Sequence, residues 1–328
     1  MSQNNPKNSR AEVRRGRQFS NTHKKGPFRR IFKWALILVG VLFLFGAGLF
    51  TYYASSAPRI TRSALTSDNS TKFYDANGTV ISRLGSQNRD YVKSKNIPRT
   101  LKRAVVSIED RRFYKHHGVD PIRIAGAAIS NLTGSSLGLQ GGSTLTQQLV
   151  KLSVFSTAAS DRTFKRKAQE AWLAIKVENR YSKSQILEFY INKVYMGNGV
   201  YGMQTAAEYY YDKTLNHLTL PEFALLAGMP QSPTLYNPYK YPQYATKRRN
   251  EVLDAMVKTK DITESQAQAA KNTSVKAHLS ATHAKARTSE KTSKYIDSYL
   301  KQTIEELEDK GYKPNRGLKV YTNLDMSA

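Results

Sequence analysis

The sequence predicts a mainly α-helical domain that follows a single transmembrane helix and includes a small β segment. The run from Trp34 to Tyr53 holds twenty residues without a charge. At this length a helix spans about 30 Å, the thickness of a bilayer core. Helical patterns dominate from residue 98 to residue 270, and only residues 71–83 and 318–322 have strong strand patterns.

The charge on the N-terminal side of the apolar run predicts its orientation. Residues 1–33 carry ten lysine and arginine residues against Glu12 alone. The positive-inside rule keeps such a tail in the cytoplasm and places the chain after Tyr53 outside the cell membrane, which it crosses once. A cleaved signal peptide is the main alternative, but the run is too long and Pro58 directly follows the candidate cleavage site Ser55-Ser56-Ala57. A basic arm also suits nucleic acid, yet its place beside a span favours the topogenic role, so we expect no nucleic-acid partner.

Composition limits the kind of site that the chain can hold. The formal net charge is +26 over 328 residues, which suits an anionic partner such as a phospholipid surface or a phosphorylated ligand. Cysteine is absent, so disulfides and thiolate–metal sites are excluded.

Two short strand patterns predict one small sheet. Residues 71–74 and 79–82 flank Asp75-Ala76-Asn77-Gly78, which is a hairpin signal. Because this hairpin and residues 318–322 are each too short to stand alone, we predict that they pair beside the helical domain. The predicted organisation is a basic tail (1–33), a transmembrane helix (34–53), a β-hairpin linker segment (54–97), the helical domain (98–270), and a linker, helix and strand (271–328). The last strand ends the chain abruptly, which suggests a fragment of a longer protein.

The first candidate site is the stretch that contains Glu109, Asp110, Phe113 and His116. If the helix continues, Glu109, Phe113 and His116 share one face. A carboxylate beside an aromatic ring in a cleft suits a general base, because partial burial raises its pKa. The alternative is a salt-bridged helix end.

The second candidate is a Gly141-Gly142 turn that leads into a helix with Ser143 as its predicted N-cap. Such a helix start presents free backbone N–H groups that can hold a phosphate. Gln147 and Lys151 follow at i+4 and i+8 from Ser143, so one stripe would carry all three side chains. An ordinary capped helix is the alternative.

The third candidate is a basic helix that carries Arg162, Arg166, Lys167 and Glu170. The spacing of Arg166 and Lys167 surrounds the Glu170 carboxylate with cations, which should keep it ionised. The cluster could bind a pyrophosphate directly, or through a divalent ion that bridges to Glu170. The alternative is a solvated basic face.

The order and spacing of these stretches, with two more downstream, resemble the peptidoglycan glycosyltransferase family. The five matching motifs are ED-x-x-F-x-x-H-x-G from Glu109, GGST-x-TQQ-x-x-K from Gly141, RK-x-x-E from Arg166, ILE-x-Y-x-N-x-x-Y-x-G from Ile186 and LAG-x-P-x-x-P from Leu226. The anchor, the hairpin and the strand near residue 320 resemble class A (bifunctional) penicillin-binding proteins, whose transpeptidase domain is absent from this chain. One departure is Gln169, where some members carry a basic residue.

The resemblance implies a lysozyme-like helical fold with a small mobile jaw subdomain, and an enzyme that polymerises lipid II into β-1,4-linked glycan with release of undecaprenyl pyrophosphate. It implies an inverting reaction with Glu109 and Glu170 as catalytic residues, Mg²⁺ or Mn²⁺ as the ion that Glu170 would hold, and membrane lipids and other cell-wall synthesis and division proteins as partners. The substrate-binding residues would be Asp110, Phe113, His116, Ser143, Gln147, Lys151, Arg162, Arg166 and Lys167. Two alternatives stay open, a lysozyme-like lytic transglycosylase or hydrolase of peptidoglycan and a non-catalytic membrane-tethered scaffold.

Overall fold

The structure is a computed structural model that describes residues 27–66, 71–78, 80–84, 90–133, 142–155, 163–281, 299–300, 302–307, 309–312 and 318–324. The chain divides into two compact units at Thr51. The described residues of the first unit form most of a long apolar helix, and the second unit contains every other element given below.

The apolar helix α1 covers Pro27–Ser55. Its segment Ile31–Ser55 has a mean hydropathy of 2.3, and it is the one described helix that is long and apolar enough to cross a membrane. The predicted span from Trp34 to Tyr53 therefore lies inside a longer helix. The basic tail was predicted to end at residue 33, whereas helical structure begins at Pro27. Residues 1–26 lie outside the described part.

The second unit is mainly helical, as predicted. Its helices are α2 (Arg62–Leu65), α3 (Arg99–Glu109), α4 (Pro121–Thr133), α5 (Leu145–Val154), α6 (Phe164–Arg180), α7 (Lys183–Lys193), α8 (Met203–Tyr211), α9 (Leu220–Gly228), α10 (Pro242–Lys258) and α11 (Glu264–Asn272).

Several helices begin at side chains that the sequence marks as caps. Ser182 with Gln185, Thr219 with Glu222 and Thr263 with Gln266 each form a capping box at the start of α7, α9 and α11. In this arrangement two backbone N–H groups that the helix cannot satisfy gain side-chain acceptors.

The core lies between two groups of packed helices. α3 packs on α9 and α10, and α5 packs on α6 and α7. Leu101, Ala104, Val105 and Ile108 on α3 are buried, and their spacing of three and four residues gives the helix one apolar face. This packing fixes the C-terminal end of α3, where Glu109 lies.

The predicted small sheet is confirmed. Strands β1 (Thr71–Tyr74) and β2 (Val80–Leu84) form an antiparallel hairpin, and β3 (Lys319–Tyr321) pairs with β1 in parallel, in the order β2-β1-β3. The rings of Tyr74 and Tyr321 stack with their centroids 4.7 Å apart. The sheet thus joins chain segments from before and after the helical domain.

The segment that leads from the hairpin to α3 is held by side chains of the fourth motif on α7. The Ser94 amide donates to a Glu188 carboxylate oxygen at 2.6 Å, and the Val92 amide donates to the Asn192 side-chain oxygen at 2.7 Å. The Asn192 amide donates in return to the Val92 carbonyl at 2.8 Å. Glu188 and Asn192 of this motif therefore serve the scaffold of the domain.

The linker predicted for residues 271–293 does not begin at residue 271. Val275 is buried, the Ser280 amide donates to the Tyr210 carbonyl at 2.8 Å, and the Arg249 guanidinium donates to the Lys271 carbonyl at 2.9 Å. Residues 271–281 therefore pack on the helical domain, because Val275 supplies apolar area and Arg249 supplies donors. Residues 282–298 are outside the described part. The predicted later helix is present at residues 302–307, and Gly311 has the positive φ of 78° expected of its terminator.

Candidate active site

Glu109 is the last residue of α3, and its side chain is 11% exposed. Its Oε2 atom accepts a hydrogen bond from Gln148 Nε2 on α5 at 3.0 Å, and its Oε1 atom lies 3.4 Å from Arg248 Nη2 on α10. Burial raises the pKa of Glu109, although the Gln148 hydrogen bond and the charge of Arg248 oppose the rise. The carboxylate therefore has the raised pKa that suits a general base.

The amide of Gln148 is oriented by a residue of the fourth motif. Tyr190 on α7 is fully buried and donates its hydroxyl to Gln148 Oε1 at 3.2 Å. The Gln148 NH₂ group is thereby directed to Glu109. Gln148 lies inside the second motif, but the sequence analysis did not place it among the site residues.

Asp110 ends α3 and joins three parts of the domain. The residue leaves helical geometry with φ −155°, and its side chain is fully buried. Oδ2 accepts from His116 Nε2 at 2.9 Å and from the Leu145 amide at 3.0 Å, while Arg123 Nη1 lies 3.0 Å from Oδ1. The expectation of a helical face shared by Glu109, Phe113 and His116 is therefore wrong, because Asp110 turns the chain to reach these donors.

Phe113 and His116 are buried side chains that pack beside the site. Phe113 is fully buried, with Lys183 Nζ 4.4 Å from its ring centre, and His116 is 5% exposed. Lys183 also donates to the His116 carbonyl and to a Glu178 carboxylate oxygen, both at 2.7 Å. In this arrangement the two aromatic side chains position neighbouring groups and present little surface to a substrate. Lys183 and Glu178 are further residues that the motifs did not single out.

The start of α5 differs from the prediction by one residue. Thr144, rather than Ser143, is the N-cap, and Gln147 completes a capping box with it. The Thr144 hydroxyl also donates to the Gly118 carbonyl at 2.6 Å, so the buried residue ties α5 to the first motif. The predicted stripe of Ser143, Gln147 and Lys151 is wrong, because Ser143 precedes the helix and the Gln147 side chain folds back on its N-cap.

Glu170 lies on α6 and is 2% exposed. Arg166 Nε donates to its Oε1 atom at 3.0 Å, and Lys167 Nζ donates to its Oε2 atom at 2.7 Å. Lys167 also donates to Ser143 Oγ at 2.9 Å, which links α6 to the start of α5. The predicted cluster of cations around Glu170 is thus present. Arg162 lies outside the described residues.

Two residues complete the neighbourhood of this cluster. Lys151 is half-buried on α5 and, at i+3, shares a helix face with Gln148. Gln169 Nε2 donates to the Ser56 carbonyl at 3.0 Å and to the Ser56 hydroxyl at 3.1 Å. Gln169 therefore binds the segment after α1 and makes no hydrogen bond of this kind to Glu170.

The residues at Glu170 do not fit a divalent ion in this arrangement. Both carboxylate oxygens of Glu170 already accept from cationic groups. Mg²⁺ instead needs several oxygen ligands around it that are free to bind the ion. Across the described ranges, no group of three or more histidine or acidic side chains that could hold a metal occurs. The divalent ion therefore remains a prediction of the resemblance.

The comparisons with known proteins place this geometry in a family. The family model described as Transglycosylase matches residues 77–257, which contain all five motifs and Arg248. The chain belongs to the transglycosylase family. Penicillin-binding protein 1A of Streptococcus oralis is 48% identical over 307 residues, which are 92% of this chain and 47% of that protein. Penicillin-binding protein 1A/1B of Bacillus subtilis is 41% identical over 332 residues, which are 98% of this chain and 36% of that protein.

This transglycosylase chain therefore spans less than half the length of the curated relatives just named. The family match agrees with the predicted resemblance and with the predicted mainly helical fold. Glu109 and Glu170 both lie within the matched range. Glu109 has the Gln148 amide and the Arg248 guanidinium as partners, and Glu170 lies between two cations.

Proposed function

We propose that this chain is a peptidoglycan glycosyltransferase that polymerises lipid II, with release of undecaprenyl pyrophosphate, in cell-wall synthesis. The observation that carries the proposal is the contrast between its two glutamates. Glu109 has a raised pKa and a side chain with some exposure, whereas Glu170 is buried between Arg166 and Lys167. A transferase with a pyrophosphate leaving group needs one base for the acceptor and cations for the donor.

Glu109 acts as the general base in this proposal. Its carboxylate takes the proton of the acceptor 4-hydroxyl while that oxygen forms a bond to the donor anomeric carbon. The bond between this carbon and the pyrophosphate breaks, and the pyrophosphate departs with its electron pair. Attack opposite the leaving group inverts an α-linked donor carbon and gives a β-1,4 bond.

The cations of α6 act on the leaving group. Arg166 and Lys167 are positive groups held in place by Glu170, and Lys151 lies on the neighbouring helix α5. Fixed positive charge stabilises the charge that develops on a departing pyrophosphate, so no acid needs to protonate it. Glu170 is then a positioning residue for these cations, and we assign charge neutralisation to the side chains rather than to a metal ion.

The lytic alternative has a different chemical requirement. A glycosidase must protonate a poor alkoxide leaving group and therefore needs a carboxylic acid for it. It does not need a cluster such as Arg166 and Lys167 around a second carboxylate. The apolar helix α1 and the basic residues before it support a single-pass anchor with the catalytic domain outside the cell, beside a lipid-linked substrate.

The test is incubation of the purified full chain with lipid II in detergent, followed by sizing of the glycan. Polymerisation is expected, and Glu109→Gln is expected to reduce its rate to below a few per cent of wild type while thermal unfolding remains cooperative. Glu264→Gln is the matched control, because this glutamate is exposed on α11.

Three outcomes oppose the proposal in different ways. Substantial polymerisation by Glu109→Gln would remove Glu109 as the base. Release of fragments from finished glycan, without polymerisation, would favour the lytic alternative. Absence of any turnover by the wild-type chain would favour the scaffold.

A further inference from the structure

Arg248 reaches Glu109 from a distant part of the sequence. The two residues are 139 positions apart, and Arg248 lies on α10, downstream of the last of the five motifs. It is 4% exposed, and its Nη2 atom lies 3.4 Å from Glu109 Oε1. A buried guanidinium beside a site carboxylate needs a reason, because an arginine is costly to bury without partners.

The guanidinium is fixed by acceptors on three sides. Nε donates to the Gly228 carbonyl at 3.1 Å, and Nη1 donates to Glu251 Oε2 at 3.0 Å, in addition to the contact of Nη2 with Glu109. Gly228 also leaves room for the side chain, since a Cβ atom there would lie 2.9 Å from Arg248 Cγ. Arg248 is thus held in one orientation by the end of α9 and by its own helix.

We propose that Arg248 is a positioning residue for Glu109. The Arg248 guanidinium keeps the Glu109 carboxylate ionised and in one orientation for proton transfer. The inference rests on the proposed function, because it assumes that Glu109 is the base. It adds a role to a residue that lies outside the motifs of the family resemblance.

The groups that face Glu109 from each packed element support this role. These groups are Asp110 directly after α3, Arg123 on α4, Gln148 on α5, Tyr190 on α7 and Arg248 on α10. Burial and the charge of Asp110 raise the pKa of Glu109, while Gln148, Arg248 and Arg123 lower it. Arg123 Nη1 lies 3.0 Å from Asp110 Oδ1, and Arg248 Nη2 lies 3.4 Å from Glu109 Oε1.

Glu251 balances the charge of the Arg248 guanidinium through the reaction. When Glu109 takes the acceptor proton, it becomes neutral and no longer balances Arg248. Glu251, whose side chain is 44% exposed, still accepts from Arg248 Nη1 and balances it then. Arginine itself keeps its proton throughout, so it supplies charge and geometry and is not an acid or base.

The experiment is the pH dependence of lipid II polymerisation by Arg248→Gln. Removing a cation from a buried carboxylate raises its pKa, so the acidic limb of the profile should move upward by about one to two pH units. The rate should recover toward wild type above the shifted limb. Lys247→Gln removes a positive charge from the adjacent, exposed residue of α10 and should leave the limb in place.

Arg248→Lys keeps the positive charge, so it separates the effect of losing the charge from the effect of disturbing the fold. It also replaces Arg248→Gln if that variant does not fold. A single ammonium cannot serve Gly228, Glu251 and Glu109 in the same geometry, so its limb should lie between those of wild type and Arg248→Gln. An unmoved limb in the folded variants, or an equal loss of rate at every pH, would overturn the proposal. If the wild-type chain does not polymerise lipid II, the proposed function fails instead.

Discussion

Asp110 offers a direct test of whether a motif residue serves the substrate or the fold. The family resemblance predicts that it binds substrate, but the structure buries it fully with three donor groups within 3.0 Å. Asp110→Asn keeps the shape of the side chain, removes the charge and turns one acceptor oxygen into a donor. At least one of His116, Leu145 and Arg123 then faces an NH₂ group inside the protein.

The cost follows from these contacts. Removing one partner of a buried ion pair destabilises a protein by about 3–5 kcal/mol. For a domain of this size, a loss of about 3 kcal/mol lowers the unfolding midpoint by about 6–12 °C. The assay is thermal unfolding of the full chain in detergent, monitored by circular dichroism at a fixed scan rate. The polymerisation rate is measured separately, at a temperature well below the unfolding midpoint.

Asp212→Asn is the matched control for this change. Asp212 is exposed at the end of α8 with φ 53°, a left-handed conformation that asparagine also accepts, so its midpoint should stay near that of wild type. If Asp110→Asn unfolds at the same temperature as Asp212→Asn but loses activity, the structural reasoning is refuted and direct substrate contact is supported.

Two further predictions concern stability. Gly118→Ala should destabilise the fold by about 2–5 kcal/mol, because the left-handed φ of 91° costs about 1–2 kcal/mol and a Cβ atom would lie 2.6 Å from the Ala174 carbonyl carbon. Gly199→Ala, with φ 73° and open space, isolates the cost of φ alone, and equal midpoints for both variants would contradict the clash. Glu109→Gln should unfold at a higher temperature than wild type at neutral pH. The pKa of Glu109 is raised in the folded state, so the wild type loses stability as the pH rises from the unfolded-state pKa to the folded-state pKa. The difference in unfolding temperature should therefore shrink as the pH falls toward about 4. A difference that grows on acidification would contradict the raised pKa.

Local patterns in the sequence were sufficient where the determining interactions are local. The caps at Ser182, Thr219 and Thr263 act over three residues, so the starts of their helices were predictable. The hairpin was predictable from its Asn-Gly turn. Pairing of β3 with the hairpin was predictable by a different argument, since short isolated strands need a partner.

The sequence was insufficient where distant residues decide the local structure. At the end of α3, Asp110 forms an ion pair with Arg123 and accepts a hydrogen bond from the amide of Leu145, 35 positions later, and no helical periodicity reveals either contact. The N-cap of α5 falls on Thr144 rather than on Ser143 because its hydroxyl also reaches Gly118, 26 positions earlier. Serine is the better N-cap by local preference, so this long-range bond is what favours Thr144.

The placement of Arg248 shows the same limit at the site itself. Arginine at a helical position with acidic neighbours predicts an exposed ion pair, here with Glu251 three residues later. The fold instead directs the other end of the guanidinium to Glu109, because α10 packs on both α3 and α9. The packing of α3, α9 and α10 therefore adds a second, distant carboxylate to the local ion pair of this arginine.

The two glutamates differ through the source of their partners. Glu170 receives its cations from its own helix, at i−4 and i−3, so its charge balance forms as soon as α6 forms. Glu109 receives Gln148 and Arg248 from two other helices, so its charge balance exists only in the folded domain. A carboxylate whose partners lie on other helices can have its pKa adjusted by small movements of those helices. This difference is why we assign proton transfer to Glu109 and the holding of cations to Glu170.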